Sequence, residues 1–230
     1  MWNHAMNRSE EIRFDAVVDR IPDDTDRVLD VGCARHEEAK RQSGNLHAYL
    51  HAKTDAEIVG IDVLEDEIEK MRSEGYDVHV GDAEKIQFDD PFDVVVAGEV
   101  IEHLANPARF VNSAVNAVAT DGKVVLTTPN PNGFAYFRKA LFDQSNNPTH
   151  TCWIDPTNLQ TLVSIVDVDV SVTEWRYLPP VGGISMLLWR GGFRRAAAPG
   201  YVAEIERMSD TSDTGSSAEP LAGSKRTTPT

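Results

Sequence analysis

Short apolar runs alternate along the chain with longer segments whose apolar positions recur at helical spacing. The short runs predict buried strands at 27–32, 57–62, 76–80, 92–97 and 123–127. The longer segments predict helices at 9–21, 45–53, 65–74, 107–119 and 156–165. Ser9 is expected to cap the first helix, and Asn106 and Asp155 each precede a proline that suits the first helical position. Strands and helices that alternate in this order predict an α/β protein, a doubly wound and mostly parallel sheet with helices on both faces.

The last third of the chain is less regular. Residues 167–178 alternate polar with apolar side chains and predict a strand near the sheet edge. Residues 201–208 alternate too, and are either a last strand or a short helix. From residue 209 the chain is rich in Ser, Thr, Asp and Gly, a composition that buries too little apolar surface to fold. We therefore expect one domain over 1–208 and a disordered acidic tail over 209–230.

Charge restricts the classes of partner. The 230 residues contain 37 acidic and 22 basic side chains, a formal net charge of −15. Such a field repels nucleic acid phosphates within about 8 Å at physiological salt, so no nucleic acid partner is expected. The acidic, lysine-poor composition resembles that of proteins from salt-loving archaea. No signal peptide, long apolar run or CxxC pair is visible, which predicts a cytoplasmic protein.

Candidate ligand-binding residues stand where the predicted strands end. Sheets of this type bind ligands at the carboxyl ends of their strands. Asp30 and Gly32 follow the first strand, and the glycine allows close approach of a ligand to the backbone. Asp62 ends the second strand and can accept hydrogen bonds from two ribose hydroxyls. Asp82 follows the third strand, where it can accept from an exocyclic amine, and Glu99 ends the fourth.

Four segments at these strand ends carry a family resemblance. VLDVGCA, GID, GDAE and FDVVVAGEVIEHLANP, in this order, resemble the class I S-adenosylmethionine-dependent methyltransferases, above all the branch with the ubiquinone-biosynthesis O-methyltransferases. The resemblance implies a seven-stranded sheet and S-adenosylmethionine as cofactor. It implies that the methionine end meets Asp30, Gly32, Cys33 and Glu99, that Asp62 holds the ribose, and that the adenine lies against Val63, Asp82 and Ala83. The alternative is that the aspartates only cap helices or turns.

The first turn departs from the family pattern of three glycines. Its second and third glycine positions hold Ala34 and His36, and a polar stretch follows at 35–47. The altered turn could bring Arg35, His36 or His47 into the pocket. It also favours an alternative reading, in which the fold serves as a nucleotide-binding module or a non-catalytic partner subunit.

His103 and His150 are the candidate catalytic residues, because imidazole titrates near neutral pH and can take a proton from an acceptor hydroxyl. The alternatives are a structural His103 and an exposed loop His150. In the ubiquinone-type enzymes a set like Glu99, Glu102 and His103 is associated with magnesium. Mg²⁺ prefers oxygen ligands, so no metal is expected here. Residues 136–138 are expected to form a substrate wall, in which Arg138 would face a carboxylate or phosphate.

Residues 181–195 combine apolar side chains with the main basic cluster of the chain, Arg190, Arg194 and Arg195. Core packing of a final helix is the favoured interpretation, and a peripheral membrane or protein contact is the alternative.

These observations together predict an S-adenosylmethionine-dependent methyltransferase acting on an oxygen of a small molecule or sugar. The segments TPNPNG and HTCW resemble those of methyltransferases found among glycan-assembly enzymes. An acidic sugar of a surface glycan is therefore the first candidate acceptor, and a quinone or phenol is the second.

Overall fold

A computed structural model describes residues 6–35 and 44–207. In these ranges the strands are β1 (Arg27–Val31), β2 (Glu57–Asp62), β3 (Asp77–Val80), β4 (Phe92–Gly98), β5 (Val118–Pro129), β6 (Val170–Tyr177) and β7 (Gly200–Arg207). They form one sheet in the order β3-β2-β1-β4-β5-β7-β6. Strands β1 to β5 run parallel, and β7 lies antiparallel to both β5 and β6. The predicted fold class, including the seven strands, is confirmed.

Helices cover both faces of this sheet, because successive side chains of a buried strand point to opposite sides. Leu29 of β1 packs in the core beneath the helices at 107–117 and 156–164, while its neighbour Val28 packs in the core beneath the helices at 8–18 and 46–53. The helices are α1 (Arg8–Val18), α2 (Leu46–Lys53), α3 (Glu65–Ser73), α4 (Pro107–Ala117), α5 (Phe134–Leu141), α6 (Pro156–Ser164), α7 (Gly183–Arg190) and α8 (Arg194–Ala197). None of the helices in the described ranges has the length and apolar composition needed to cross a bilayer.

Several predicted boundaries change in the structure. Asn7, not Ser9, caps α1, since its side-chain oxygen accepts hydrogen bonds from the Ser9 and Glu10 amides. The caps Asn106 and Asp155 are confirmed. Residues 118 and 119 belong to β5 rather than to the end of α4, β5 begins five residues earlier than predicted, and 201–207 is strand rather than helix. His36 and the predicted tail at 209–230 lie outside the described residues.

The expected core packing of a final helix over 181–195 is wrong. Helix α7 has no buried residue, and Leu187 is 68% exposed. Both faces of the sheet are already covered by other helices, so α7 packs chiefly against the short helix α8. A guanidinium-aromatic contact supports this pair, with Arg194 lying 4.1 Å from the centroid of the Trp189 ring.

Candidate functional site

A cleft of about 350 Å³ crosses the carboxyl ends of β1, β2, β3 and β4. We call it the strand-end cleft. Its walls are the turns that follow these strands, because the carboxyl ends of parallel strands meet at one edge of the sheet. Six of the eight predicted cofactor residues line it, namely Gly32, Asp62, Val63, Asp82, Ala83 and Glu99.

Gly32 shapes the floor of the strand-end cleft. Its backbone is in the left-handed region at φ 77°, and its amide donates a 2.8 Å hydrogen bond to the Ile61 carbonyl. A Cβ atom placed on Gly32 would lie 2.5 Å from Cγ2 of Val100. Both the conformation and the space therefore require glycine. The turn keeps the backbone open to a ligand, which fits a cofactor lying across this floor.

Asp62 is held in a fixed orientation at the cleft wall. Its two carboxylate oxygens accept hydrogen bonds from the amides of Ala34 (3.1 Å) and Leu64 (3.0 Å). Burial raises the pKa of Asp62 above its ordinary range. Each oxygen retains a further lone pair for a hydroxyl donor. Next to it, Val63 leaves 64% of its surface exposed at the cleft, an apolar surface suited to a flat ring.

Asp82 and Ala83 close the far end of the cleft. The Asp82 carboxylate accepts a 2.9 Å hydrogen bond from the Glu84 amide and so caps the 3₁₀ turn Ala83–Lys85. Asp82 is exposed and Ala83 is buried. The capping alternative for Asp82 is thus realised, and the second carboxylate oxygen is available at the cleft surface.

Asp30 and Cys33, the other two predicted cofactor residues, lie behind the cleft. Asp30 is 1% exposed, and one of its carboxylate oxygens lies 3.2 Å from Nδ1 of His47. The Cys33 side chain fills the space above Gly60, where a Cβ would approach Sγ to 2.7 Å. Burial raises the pKa of the Cys33 thiol. Contact of Asp30 and Cys33 with the cofactor stays a prediction. His47 contacts Asp30 and does not line the strand-end cleft.

Glu99 stands between the strand-end cleft and a second cavity. It is a non-glycine residue at φ 59°, held there by a 2.9 Å hydrogen bond from its amide to the Thr127 carbonyl. Backbone strain of this kind concentrates at functional sites. The Glu99 carboxylate forms an ion pair with Arg13 of α1. This pair connects the leading helix to the end of β4.

The second cavity, which we call the α1 cleft, has a volume of about 340 Å³. Arg13, Arg35, Glu99 and Tyr136 are among its lining residues. Burial and the neighbouring Arg13 lower the pKa of Arg35, whose guanidinium lies 3.6 Å from the Glu10 carboxylate. Burial and the nearby acids raise the pKa of Tyr136 to about 12, so its phenol stays a hydrogen-bond donor. Two guanidinium groups and a phenol therefore face one cavity.

His103 and His150 meet at the edge of the strand-end cleft, with ring centroids 4.8 Å apart. The segment around His150 is fastened to the end of β4, since the Thr151 amide donates to the Glu102 carbonyl at 2.8 Å. Nδ1 of His103 lies 3.1 Å from the Thr149 carbonyl, which can only accept. Nδ1 therefore carries the proton in the neutral ring, and Nε2 is left as an acceptor. Burial, then the neighbouring His103, lowers the pKa of His150, which keeps it neutral at physiological pH.

Glu102 lies beneath this histidine pair and is buried. Thr128 Oγ1 donates a 3.0 Å hydrogen bond to one of its oxygens, and burial raises its pKa to about 8. Ligand atoms of Glu102, His103 and His150 lie within 4.8 Å of one another. Two imidazoles and one carboxylate suit a zinc-like ion, and they do not fit magnesium. Glu99, the remaining acid of the family's magnesium-associated set, is paired with Arg13.

Arg13 is a site residue that was not predicted from the sequence. This residue stands on the leading helix, far from the strand ends, and only the docking of α1 brings it to Glu99. Arg13 and Glu99 form a cation beside an anion, the complement of an α-amino acid zwitterion. Arg13 is one of two arginines in α1, beside three acidic residues, so the sequence of this helix does not single it out. Of the expected substrate wall, Tyr136 lines the α1 cleft, whereas Arg138 is exposed and outside the lining of both clefts.

Comparison with known proteins agrees with this architecture. The family model of a methyltransferase domain matches residues 5–185. Ubiquinone biosynthesis O-methyltransferase from Rickettsia akari is 23% identical over 184 residues, covering 72% of this chain and 70% of that protein. The enzyme of the same name from Neisseria meningitidis is 35% identical over 120 residues, covering 48% of this chain and 47% of that protein.

Solved structures share the fold. A SAM-dependent methyltransferase from Archaeoglobus fulgidus superposes with a TM-score of 0.55 at 21% identity, covering 86% of this chain and 93% of that one. Magnesium protoporphyrin IX methyltransferase from Synechocystis, with S-adenosylhomocysteine bound, gives 0.58 at 12% identity and covers 90% of each chain. With the family match, the sheet order and the strand-end cleft, the chain belongs to the class I S-adenosylmethionine-dependent methyltransferases.

Proposed function

We propose that the protein transfers the methyl group of S-adenosylmethionine to an oxygen atom of a small-molecule or saccharide acceptor held in the α1 cleft. The observation that carries the proposal is the position of Glu99, which lines both clefts. A cofactor in the strand-end cleft and an acceptor in the α1 cleft would approach each other past this one residue. The relatives are named O-methyltransferases, which supports oxygen as the acceptor atom.

The residues of the strand-end cleft fit the parts of the cofactor. Asp62 would accept from the two ribose hydroxyls, and Val63 and Ala83 would lie against the adenine with Asp82 at its amine. The ion pair of Arg13 and Glu99 is complementary to the methionine end, which carries a carboxylate and an ammonium group. The sulfonium supplies an activated methyl, so the task of the protein is to align the acceptor with it.

A hydroxyl acceptor must lose its proton as the new C–O bond forms and the C–S bond breaks. Nε2 of His103 and the neutral ring of His150 are the acceptors near the Glu99 wall, and either can take that proton. The products are then the methyl ether and S-adenosylhomocysteine. A carboxylate acceptor is already ionised and needs no base.

An acidic sugar is the first candidate acceptor. Arg35 offers guanidinium donors in the α1 cleft, and a carboxylate is a natural partner for them. A phenol is the second candidate, and the edge-to-face pair of Tyr136 and Trp153, with ring centroids 4.6 Å apart, favours it. The two candidates differ in the charge of the group that meets Arg35.

Calorimetric titration with S-adenosylhomocysteine tests the cofactor site. The Asp62→Ala variant should bind about 10- to 100-fold more weakly than wild type, because charge-assisted hydrogen bonds to two hydroxyls are lost. The exposed Asp66→Ala, four residues along the chain, is the matched control and should bind normally. Transfer of labelled methyl to glucuronate, glucose or catechol then tests the acceptor. A folded wild type that binds no S-adenosylhomocysteine would refute the proposal.

A further inference from the structure

A groove of about 770 Å³ lies between α1, the edge strand β6 and helix α7. We call it the outer groove. It is more than twice the volume of the α1 cleft, and the two cavities share the lining residues Ile12, Leu178 and Pro179. The two cavities are therefore neighbours, and a ligand longer than the α1 cleft would extend past these three residues into the outer groove.

Aromatic side chains form much of the outer groove. Trp175, Tyr177 and Trp189 line it, and Trp175 is 38% exposed. The rings of Trp175 and Tyr177 meet edge to face with centroids 5.1 Å apart, which fixes their orientation. Such rings combine an apolar body with a polar N–H or O–H tip, the combination that suits a ligand whose faces are apolar and whose edges carry hydroxyls.

Charged side chains face the same space. Asp15 lies on α1 and Asp19 directly follows it, while Arg176 lies on β6 and Arg194 on α8. A polyprenyl or other apolar chain lying in the groove would remove these four charges from water without offering hydrogen bonds in return, which is unfavourable. A polyhydroxylated ligand would donate to the aspartates and accept from the arginines. The lining therefore favours a sugar over a lipid tail.

We propose that the outer groove binds the saccharide chain that carries the methylated unit, so that the acceptor is an oligosaccharide rather than a single sugar. This inference rests on the proposed function, because the α1 cleft is taken to hold the methyl-accepting end. Because the two cavities are adjacent, the saccharide chain would run from its methyl-accepting end near Glu99 toward Trp189 on α7.

The test compares probes of different length and chemistry by calorimetry. The probes are glucuronate, three tetrasaccharides (of hyaluronan, chitin and mannan) and 4-octylphenol. At least one tetrasaccharide should bind about tenfold or more tightly than glucuronate, since ring stacking adds affinity. Trp175→Ala and Trp189→Ala should each remove most of that gain and leave glucuronate binding unchanged. Phe142→Ala, which removes an exposed aromatic ring just after α5 that lines neither cavity, is the matched control.

The outcomes separate this inference from the proposed function. S-adenosylhomocysteine binding should be the same in wild type and in both tryptophan variants, which also shows that the variants are folded. If the protein binds S-adenosylhomocysteine but no tetrasaccharide binds more tightly than glucuronate, the outer groove is not a saccharide site. Binding of 4-octylphenol that is lost in Trp189→Ala would overturn the inference in favour of a lipid tail. If wild type does not bind S-adenosylhomocysteine, the result contradicts the proposed function instead.

Discussion

Replacing Gly32 with alanine tests whether the turn after β1 has the left-handed, tightly packed conformation that only glycine fits. Alanine at φ 77° costs about 1–2 kcal/mol, because an L side chain disfavours the left-handed region. The new Cβ would also lie 2.5 Å from Val100 Cγ2, and such overpacking costs a further ~1–3 kcal/mol. We expect a total loss of about 2–5 kcal/mol in the free energy of unfolding.

Gly75 provides a matched control. It also has a positive φ, 96°, but within the described structure nothing lies within 4 Å of a Cβ built on it. Gly75→Ala should therefore lower the free energy of unfolding only by the conformational cost of about 1–2 kcal/mol. It should leave cofactor affinity unchanged, whereas Gly32→Ala should weaken it because the cleft floor moves.

Urea denaturation gives the free energies, and titration with S-adenosylhomocysteine gives the affinities. Val100→Ala removes the atom that clashes, so in a double-mutant cycle Gly32→Ala should cost less in the Val100→Ala background than alone. Equal losses for Gly32→Ala and Gly75→Ala, or no coupling with Val100, would refute the steric argument.

Four further predictions concern chemistry and charge. His150→Gln or His103→Gln, whichever removes the base, should lower methyl transfer to a hydroxyl acceptor about 10²- to 10⁴-fold, and His150→Gln should leave S-adenosylhomocysteine affinity unchanged. His79→Gln on the distant strand β3 should be neutral, and full activity in both variants of the pair would exclude both histidines as the base. Arg13→Ala should weaken S-adenosylhomocysteine binding about tenfold or more, and the exposed Arg8→Ala on the same helix should not; unchanged binding in both would remove Arg13 from the site. The pKa of Glu102 is raised from 4.5 to about 8 in the folded protein, so folding favours its protonated form. The free energy of unfolding of wild type should therefore fall relative to that of Glu102→Gln as the pH rises from about 4.5 to 8. Parallel curves of this free energy against pH would contradict the prediction. The net charge of −15 should make the urea midpoint rise with KCl, and a midpoint independent of salt would count against the salt-loving origin inferred from composition.

The central strands were predictable because their burial leaves a strong local pattern. β2 has the predicted bounds, and β1 and β4 differ from prediction by one residue each. Their runs are apolar without alternation because both faces of the sheet are covered. The same argument places Gly32, Asp62 and Glu99 at one edge, since parallel strands end together.

Peripheral helices were harder to predict. α5 and α7 contain many apolar side chains, yet Phe137 and Leu187 are exposed. An apolar sequence predicts that a segment is buried. It does not indicate whether a face of the sheet is still uncovered and can pack against that segment. The role of Arg13 and the partner of Asp30 also depend on how α1 and α2 dock, and docking leaves no local pattern in the sequence.

The position of β7 affects how the protein is made. This strand is later in the chain than the other six of the sheet, yet it lies between β5 and β6. Arg20, at the end of α1, pairs with Glu204 of β7 at 2.9 Å. During synthesis, the edge of β5 and the Arg20 side chain therefore lack their β7 partners until about residue 207 has left the ribosome. Such long-range closure is slow, and until it is complete the unpaired edge of β5 is open to aggregation.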